Sequence, residues 1–317
     1  MINNIYQEIS PYDQGWLSVG GGHEIHWEVG GNPHGLPVVW LHGGPGSHSS
    51  PIHRRFFDPQ RFQIVQFDQR GCGLSRPAGS ISCNTTDDLL SDLEALRQHL
   101  RINRWWVVGG SWGGALALAY AQRHAGAING LLCRSPFLCK PSEIADFLQH
   151  PPTACHTLWQ GLMNRIPRNC QHDFLPYAHE VFCTDQPVET QAQLAQAWAS
   201  YESAMNAYPD SGPITKEPET AALIQRYRIQ CHYLIQNCFE TTDHLLRPEM
   251  LKKIPLTIIH GEGDAICSVE NSWLIKKAAS HAKLVTLPNC GHDLMTPQMI
   301  AALLEEIKII SELPHAI

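Results

Sequence analysis

Ser111, Asp264 and His292 are the residues of this chain whose types and order point most directly to chemistry. A serine hydroxyl attacks a carbonyl only when a base takes its proton, an acid orients that base, and donors receive the oxyanion. Ser111 stands in Gly109-Gly110-Ser111-Trp112-Gly113, between the apolar run Trp105 to Val108 and an alanine-rich segment. That is the G-x-S-x-G pattern of a nucleophile elbow: small neighbours admit a turn too tight for side chains and leave the hydroxyl exposed. Downstream, Ile258-Ile259-His260-Gly261-Glu262-Gly263-Asp264 puts an acid just past a strand candidate, and 283–287 leads into Asn289-Cys290-Gly291-His292. Serine, acid, histidine is one of the established chain orders of a catalytic triad. Both partners fall at C-terminal strand ends, where open α/β sheets gather their ligands.

The oxyanion donors are expected from the backbone N–H after the nucleophile, Trp112, and from a second N–H after an early strand. The candidate for the second is Leu41-His42-Gly43-Gly44-Pro45-Gly46. It fails as a phosphate loop, because no Gly-Lys-Ser/Thr follows. Gly71-Cys72-Gly73 likewise fails as a dinucleotide fingerprint, since Arg76 stands where the third glycine belongs.

These groups need elements to hold them. Strands are predicted at 23–29, 37–41, 62–67, 104–108 and 128–133, and again at 254–260 and 283–287. Residues 86–100 read as an amphipathic helix, with leucines three and four apart and acids in the first turn. The central runs are apolar almost throughout, as in a parallel sheet covered on both faces. Residues 136–245 carry no convincing strand; they hold aromatic and leucine positions at helical spacing, broken by Pro151-Pro152, Pro167, Pro187, Pro209 and Pro213. A closing helix is expected near 297–312. The reading is an α/β core of 1–135 and 246–317 with an inserted helical cap at 136–245.

Composition narrows the rest. The 317 residues are 43% hydrophobic with nine Trp, enough for a large core, and carry a net charge of −7 with no basic stripe. Nucleic acid is therefore not expected as a partner. No apolar run approaches the ~18 residues of a membrane span. The stretch Met1 to Gln7 has neither a charged nor an apolar signal region, so no secretory leader is expected. Eleven scattered cysteines match no zinc spacing and read as reduced thiols of a cytoplasmic protein.

Three blocks give the chain a resemblance. His42-Gly43-Gly44-Pro45-Gly46, Asp68-Gln69-Arg70-Gly71-Cys72-Gly73-Leu74-Ser75 and Gly109 to Gly114 resemble the proline iminopeptidase (prolyl aminopeptidase) family of α/β hydrolases. The similarity runs from Tyr12-Asp13 to Gly291-His292, nearly the whole chain. It implies an α/β-hydrolase fold, a mostly parallel doubly wound sheet with a helical cap, and removal of N-terminal proline from peptides without metal or cofactor. It also implies Ser111 as nucleophile, His292 as base and Asp264 as orienting acid, with Gly44 and Trp112 as oxyanion donors. The family motif Trp-x-x-Trp-Glu, whose glutamate binds the substrate's amino group, corresponds to Trp198-Ala199-Ser200-Tyr201-Glu202. A second family glutamate, in Arg-Ile-Glu-x-His-Tyr, is replaced here by Gln230. Ser47 after Gly46, and Glu262-Gly263 before the aspartate, also depart from the family pattern.

A neutral amide in place of a carboxylate weakens capture of a cationic amino end, by ~1–3 kcal/mol in a dry site; the competing reading of Gln230 is a silent exchange compensated by Glu202. Phe137, Trp198 and Tyr201 are candidates for an apolar pocket around a pyrrolidine ring, with packing inside the cap as the competing role. Asp68 and Arg70 read as structural braces. The expected activity is acyl transfer on a small peptide. The alternatives are an esterase or amidase acting on another, possibly biosynthetic, substrate and a non-catalytic receptor on the same scaffold. An epoxide hydrolase or dehalogenase is disfavoured, since those chemistries call for an aspartate at the elbow. Oligomeric state is left open.

Overall fold

The computed structural model describes residues 5–209 and 219–313. Pro213 and the first four residues, both used above, lie outside the described residues. Eight strands form one sheet: β1 (Asp13–Gly20), β2 (His23–Gly31), β3 (Leu36–Leu41), β4 (Phe62–Phe67), β5 (Trp105–Gly110), β6 (Ile128–Arg134), β7 (Leu256–Gly261) and β8 (Lys283–Leu287). Their spatial order is β1-β2-β4-β3-β5-β6-β7-β8, antiparallel over the first three and parallel from β4 onward. β1 is the strand the sequence reading missed. It is a partly exposed edge strand whose residues alternate between exposed and half-buried, without the solid apolar run that marked the others.

The parallel strands feed two cores because successive side chains point to opposite faces. On β5, Trp105 and Val107 join the larger cluster, while Trp106 and Val108 join the smaller one. Among the helices before β6, α1 (Pro51–Arg54) lies between β3 and β4, α2 (Thr86–His99) precedes β5, and α3 (Trp112–His124) follows it. α2 starts as its sequence suggests: Thr85 accepts from the Asp88 amide while Asp88 accepts from the Thr85 amide, a capping box that satisfies two of the helix's free donors.

Between β6 and β7 the described residues are helical: α4 (Pro141–Gln149), α5 (His156–Met163), α6 (Phe174–Cys183), α7 (Val188–Ala207), α8 (Thr220–Leu234), α9 (Thr242–Leu245) and α10 (Pro248–Leu251). α5 and α6 pack on α7 and α8, whereas α9 and α10 return to α3. Then α11 (Glu270–Ala278) precedes β8 and α12 (Pro297–Glu312) closes the chain. α8 is seated on the core: the Tyr233 ring meets Trp112 edge-on with centroids 5.3 Å apart, and the Tyr233 hydroxyl donates to Asn84 at 2.8 Å. No helix among the described residues is long and apolar enough to cross a membrane.

Candidate active site

Ser111 sits between β5 and α3 with φ 56° and ψ −122°, a backbone that few non-glycine residues adopt. Its neighbours hold that strain in place. The Ser111 amide donates to the Arg134 carbonyl at 2.9 Å, and its own carbonyl accepts from Gly114 at 3.0 Å and Phe137 at 3.2 Å. The flanking glycines are required by contact. A Cβ on Gly109 would run into the Gly113 carbonyl, and one on Gly113 into the Leu41 carbonyl. The elbow is therefore pressed directly against the end of β3 that begins the glycine loop.

Asp264 and His292 are brought together as the chain order suggests. His292 Nδ1 lies 2.7 Å from Asp264 Oδ2, while Asp264 Oδ1 accepts from the Ile266 and Cys267 amides at 2.9 Å each. Burial alone would raise the Asp264 carboxyl. The His292 charge and hydrogen bond, with His260 and the Cys267 amide, outweigh burial and hold it well below the usual range. The carboxylate thus stays ionised and fixes the imidazole through Nδ1, which leaves Nε2 for proton transfer.

The link from His292 to Ser111 is open. The Ser111 hydroxyl is turned to the Cys267 thiol, Oγ···Sγ 3.9 Å, and shares no hydrogen bond with His292 among the described residues. Burial and the nearby Asp264 push the Cys267 thiol well up, so it remains a neutral neighbour and not a rival nucleophile.

Two positioning residues escaped the sequence reading. Arg134, at the end of β6, is buried; its guanidinium donates to the His292 carbonyl and fills the space where a Gly110 side chain would lie. It ties the histidine loop to the elbow. His260, at the end of β7, donates from Nε2 to the Cys267 carbonyl at 2.9 Å, and its Nδ1 lies 2.6 Å from the Ser272 hydroxyl. Burial lowers its pKa, and it braces the Asp264 loop as a neutral ring. The only sequence signal for either was a polar residue at the C-terminal end of an apolar strand.

The glycine loop lies over the serine: a Cβ on Gly43 would be 3.4 Å from the Gly110 carbonyl and 3.6 Å from Ser111 Cβ. Gly44 has φ 119°, and a side chain there would strike the amides of Gly46 and Ser47. Gln69 couples the loop to the elbow. Its amide group donates to the His42 carbonyl at 2.9 Å and accepts from the Trp112 indole at 2.9 Å. Asp68 accepts from the Ser49 and Leu74 amides, and Arg70 forms a two-pronged pair with Asp92 at 2.7 Å per contact. Both are braces, as their sequence context suggested.

Phe137 is buried beside the serine through its backbone bond to Ser111. Trp198 and Tyr201 require a correction. Both are fully buried inside the helical layer: Trp198 stacks on Tyr227 with centroids 4.5 Å apart and meets Phe174 edge-on, while the Tyr201 hydroxyl donates to the Phe147 carbonyl at 2.6 Å. They have no free face for a substrate ring, because α7 turns Trp198 against α6 and α8 and Tyr201 against Phe147 of α4. Glu202, next on α7, receives Arg226 Nη2 at 2.6 Å, the Tyr227 hydroxyl at 3.0 Å and Gln230 Nε2 at 2.5 Å. Among the described residues no group of three His, Cys, Asp or Glu side chains is arranged to hold a metal ion.

Comparison with known proteins agrees with this architecture. The family model for the alpha/beta hydrolase fold matches residues 37–296. A proline iminopeptidase of Xylella fastidiosa (strain Temecula1) is 39% identical over 306 residues, covering 95% of this chain and 97% of that one. A probable proline iminopeptidase of Leptolyngbya boryana is 37% identical, with 96% of each chain covered. Among solved structures, a proline iminopeptidase-related protein of Thermus thermophilus superposes with a TM-score of 0.60 at 21% identity, over 94% of this chain and 96% of that one. At that identity it speaks to the fold alone.

Proposed function

This chain belongs to the proline iminopeptidase family of α/β hydrolases, and on that basis we propose that it is a serine hydrolase releasing an N-terminal proline from peptides. The observation that carries the mechanism is the 2.7 Å pairing of His292 Nδ1 with an ionised Asp264 at the strand ends beside the strained Ser111. In the proposed reaction a rotation about the Ser111 Cα–Cβ bond turns Oγ from Cys267 to His292. His292 Nε2 takes the hydroxyl proton as Oγ attacks the prolyl carbonyl. The backbone N–H groups of Gly44 and Trp112 receive the oxyanion. The leaving amine departs with the proton from His292, and a water molecule activated by the same histidine releases proline from the serine ester. The helical block 136–245 acts as the cap over the serine, with Phe137 beside the reacting carbonyl and Glu202 with Gln230 at the substrate's amino end.

A second reading keeps the triad and changes the substrate to an ester or amide without a free amino group. It is favoured by one observation, that both oxygens of Glu202 are already engaged by this chain's own side chains. Assaying a chromogenic prolyl amide beside a p-nitrophenyl ester separates the two. Turnover of both, lost together in Ser111→Ala, is expected; turnover of the ester alone rejects the aminopeptidase. A Ser111 that a fluorophosphonate fails to label in the folded protein rejects the serine mechanism itself.

A further inference from the structure

Resting on the placement of the substrate's amino end at Glu202, we infer that Arg226 is a built-in competitor for that position. Its guanidinium occupies the carboxylate, and a free amino terminus binds by exchanging with it. The cluster is complete without substrate. Glu202 Oε2 accepts from Arg226 at 2.6 Å and from Tyr227 at 3.0 Å, and Oε1 accepts from Gln230 at 2.5 Å. Burial keeps the Tyr227 phenol protonated, so one negative and one positive charge cancel and the pocket is neutral. A cationic ligand gains little from a carboxylate whose charge is already matched.

The partners of Glu202 differ in how readily they can leave. The Tyr227 ring is fully buried and Gln230 nearly so, whereas the Arg226 side chain is one third exposed. Only the arginine can swing outward without unpacking α8. Gln230 Oε1 is buried with no hydrogen-bond partner, and so is Arg226 Nε. With the guanidinium displaced, an incoming ammonium would meet Glu202 Oε2 and this unused Gln230 oxygen together.

The cluster also lies close to the chemistry. A Cβ on Gly46, two residues after the proposed oxyanion donor Gly44, would run into the Arg226 carbonyl and lie 3.3 Å from the Gln230 amide. The turn of α8 that carries both side chains therefore rests on the glycine loop. Arg226 is in this sense a specificity-determining residue: it sets the cost of admitting a cation beside Ser111.

The test reads competitive inhibition of p-nitrophenyl ester hydrolysis by prolinamide and by its uncharged isostere cyclopentanecarboxamide. Arg226→Met and Gln230→Glu each leave the pocket one net negative charge, by opposite routes. Each is expected to lower the prolinamide Ki about tenfold, equivalent to about 1.4 kcal/mol, and to move the isostere's Ki by less than about twofold. Arg226→Lys retains the positive charge, and its prolinamide Ki is expected to stay near wild type. An unchanged or raised prolinamide Ki in Arg226→Met overturns the proposal whatever Gln230→Glu does, as does an equal fall in Arg226→Met and Arg226→Lys. If the wild type hydrolyses the ester but no prolyl amide, the aminopeptidase reading fails separately, and the Ki values still decide the exchange.

Discussion

Asp264 shows how one side chain reconciles burial with charge. A carboxylate with no exposed surface is costly unless hydrogen-bonded on all sides, and here two backbone amides and one imidazole supply that. Asp264→Asn keeps the shape but loses the charge and favours the wrong imidazole tautomer. Its kcat on either substrate class is expected to fall roughly 10³- to 10⁴-fold with the melting temperature little changed. A fall of less than tenfold would show that His292 is oriented by something else. Types and order made Ser111, Asp264 and His292 legible in the sequence as candidates for a catalytic triad. Arg134 and His260 were not, because a lone arginine or histidine at a strand end looks the same whether it braces a site or merely caps a strand. Trp198 and Tyr201 were legible as large aromatics but not as to which way they faced, since that depends on how α7 rolls against α4, α6 and α8.

At the scale of elements, the site depends on how closely β3, β5 and α3 approach. Gly113 lies where the first turn of α3 touches the carbonyls of Leu41 and His42. Gly113→Ala forces that junction apart, with an expected loss of about 1–3 kcal/mol and a larger loss of activity, because the glycine loop moves from the serine. Gly161, inside α5, has open space around its missing side chain. Gly161→Ala is expected to stabilise the protein by about 0.5–1 kcal/mol, the helix-propensity difference. Urea unfolding of both variants checks the contrast; equal effects would mean that close approach is not what requires glycine at the elbow. The missed strand β1 belongs to this scale too. An edge strand with one wet face need not be apolar, so its alternation is faint and its pairing with β2 is decided by the neighbouring strand.

For the whole molecule, two neutral histidines, His42 just past β3 and half-buried His53 on α1, shape the response to acid. Burial lowers His42 to about 4 and His53 to about 3, against the ordinary 6.5. Because the folded pKa values lie below the unfolded one, the unfolded chain binds more protons between these limits. Their contribution is intact above about pH 6.5 and is lost as pH falls toward 4. Unfolding in that window is expected to take up on the order of two protons, with the buried His260 adding in the same direction. The depressed Asp264 acts lower, its stabilisation declining as pH drops below about 3.8. Thermal melts at pH 7, 6 and 5 should show a steady fall; a flat profile would mean that these rings are protonated in the folded state.

The alternation of parallel strands, the elbow, the order of Ser111, Asp264 and His292 and the glycine loop were all set by the sequence alone. Each is local: an apolar run, a tight turn or a spacing that few other structures accommodate. The tertiary structure decided what depends on distant segments meeting: β1 at the sheet edge, Arg134 reaching the His292 loop, Cys267 beside the serine, and the aromatics of α7 facing inward. It also decided the state of Glu202. In the sequence Gln230 was a single missing charge. Only the packing of α8 on α7 brings Arg226 to the same carboxylate, because helix neighbours four residues apart share a face that the chain alone does not aim.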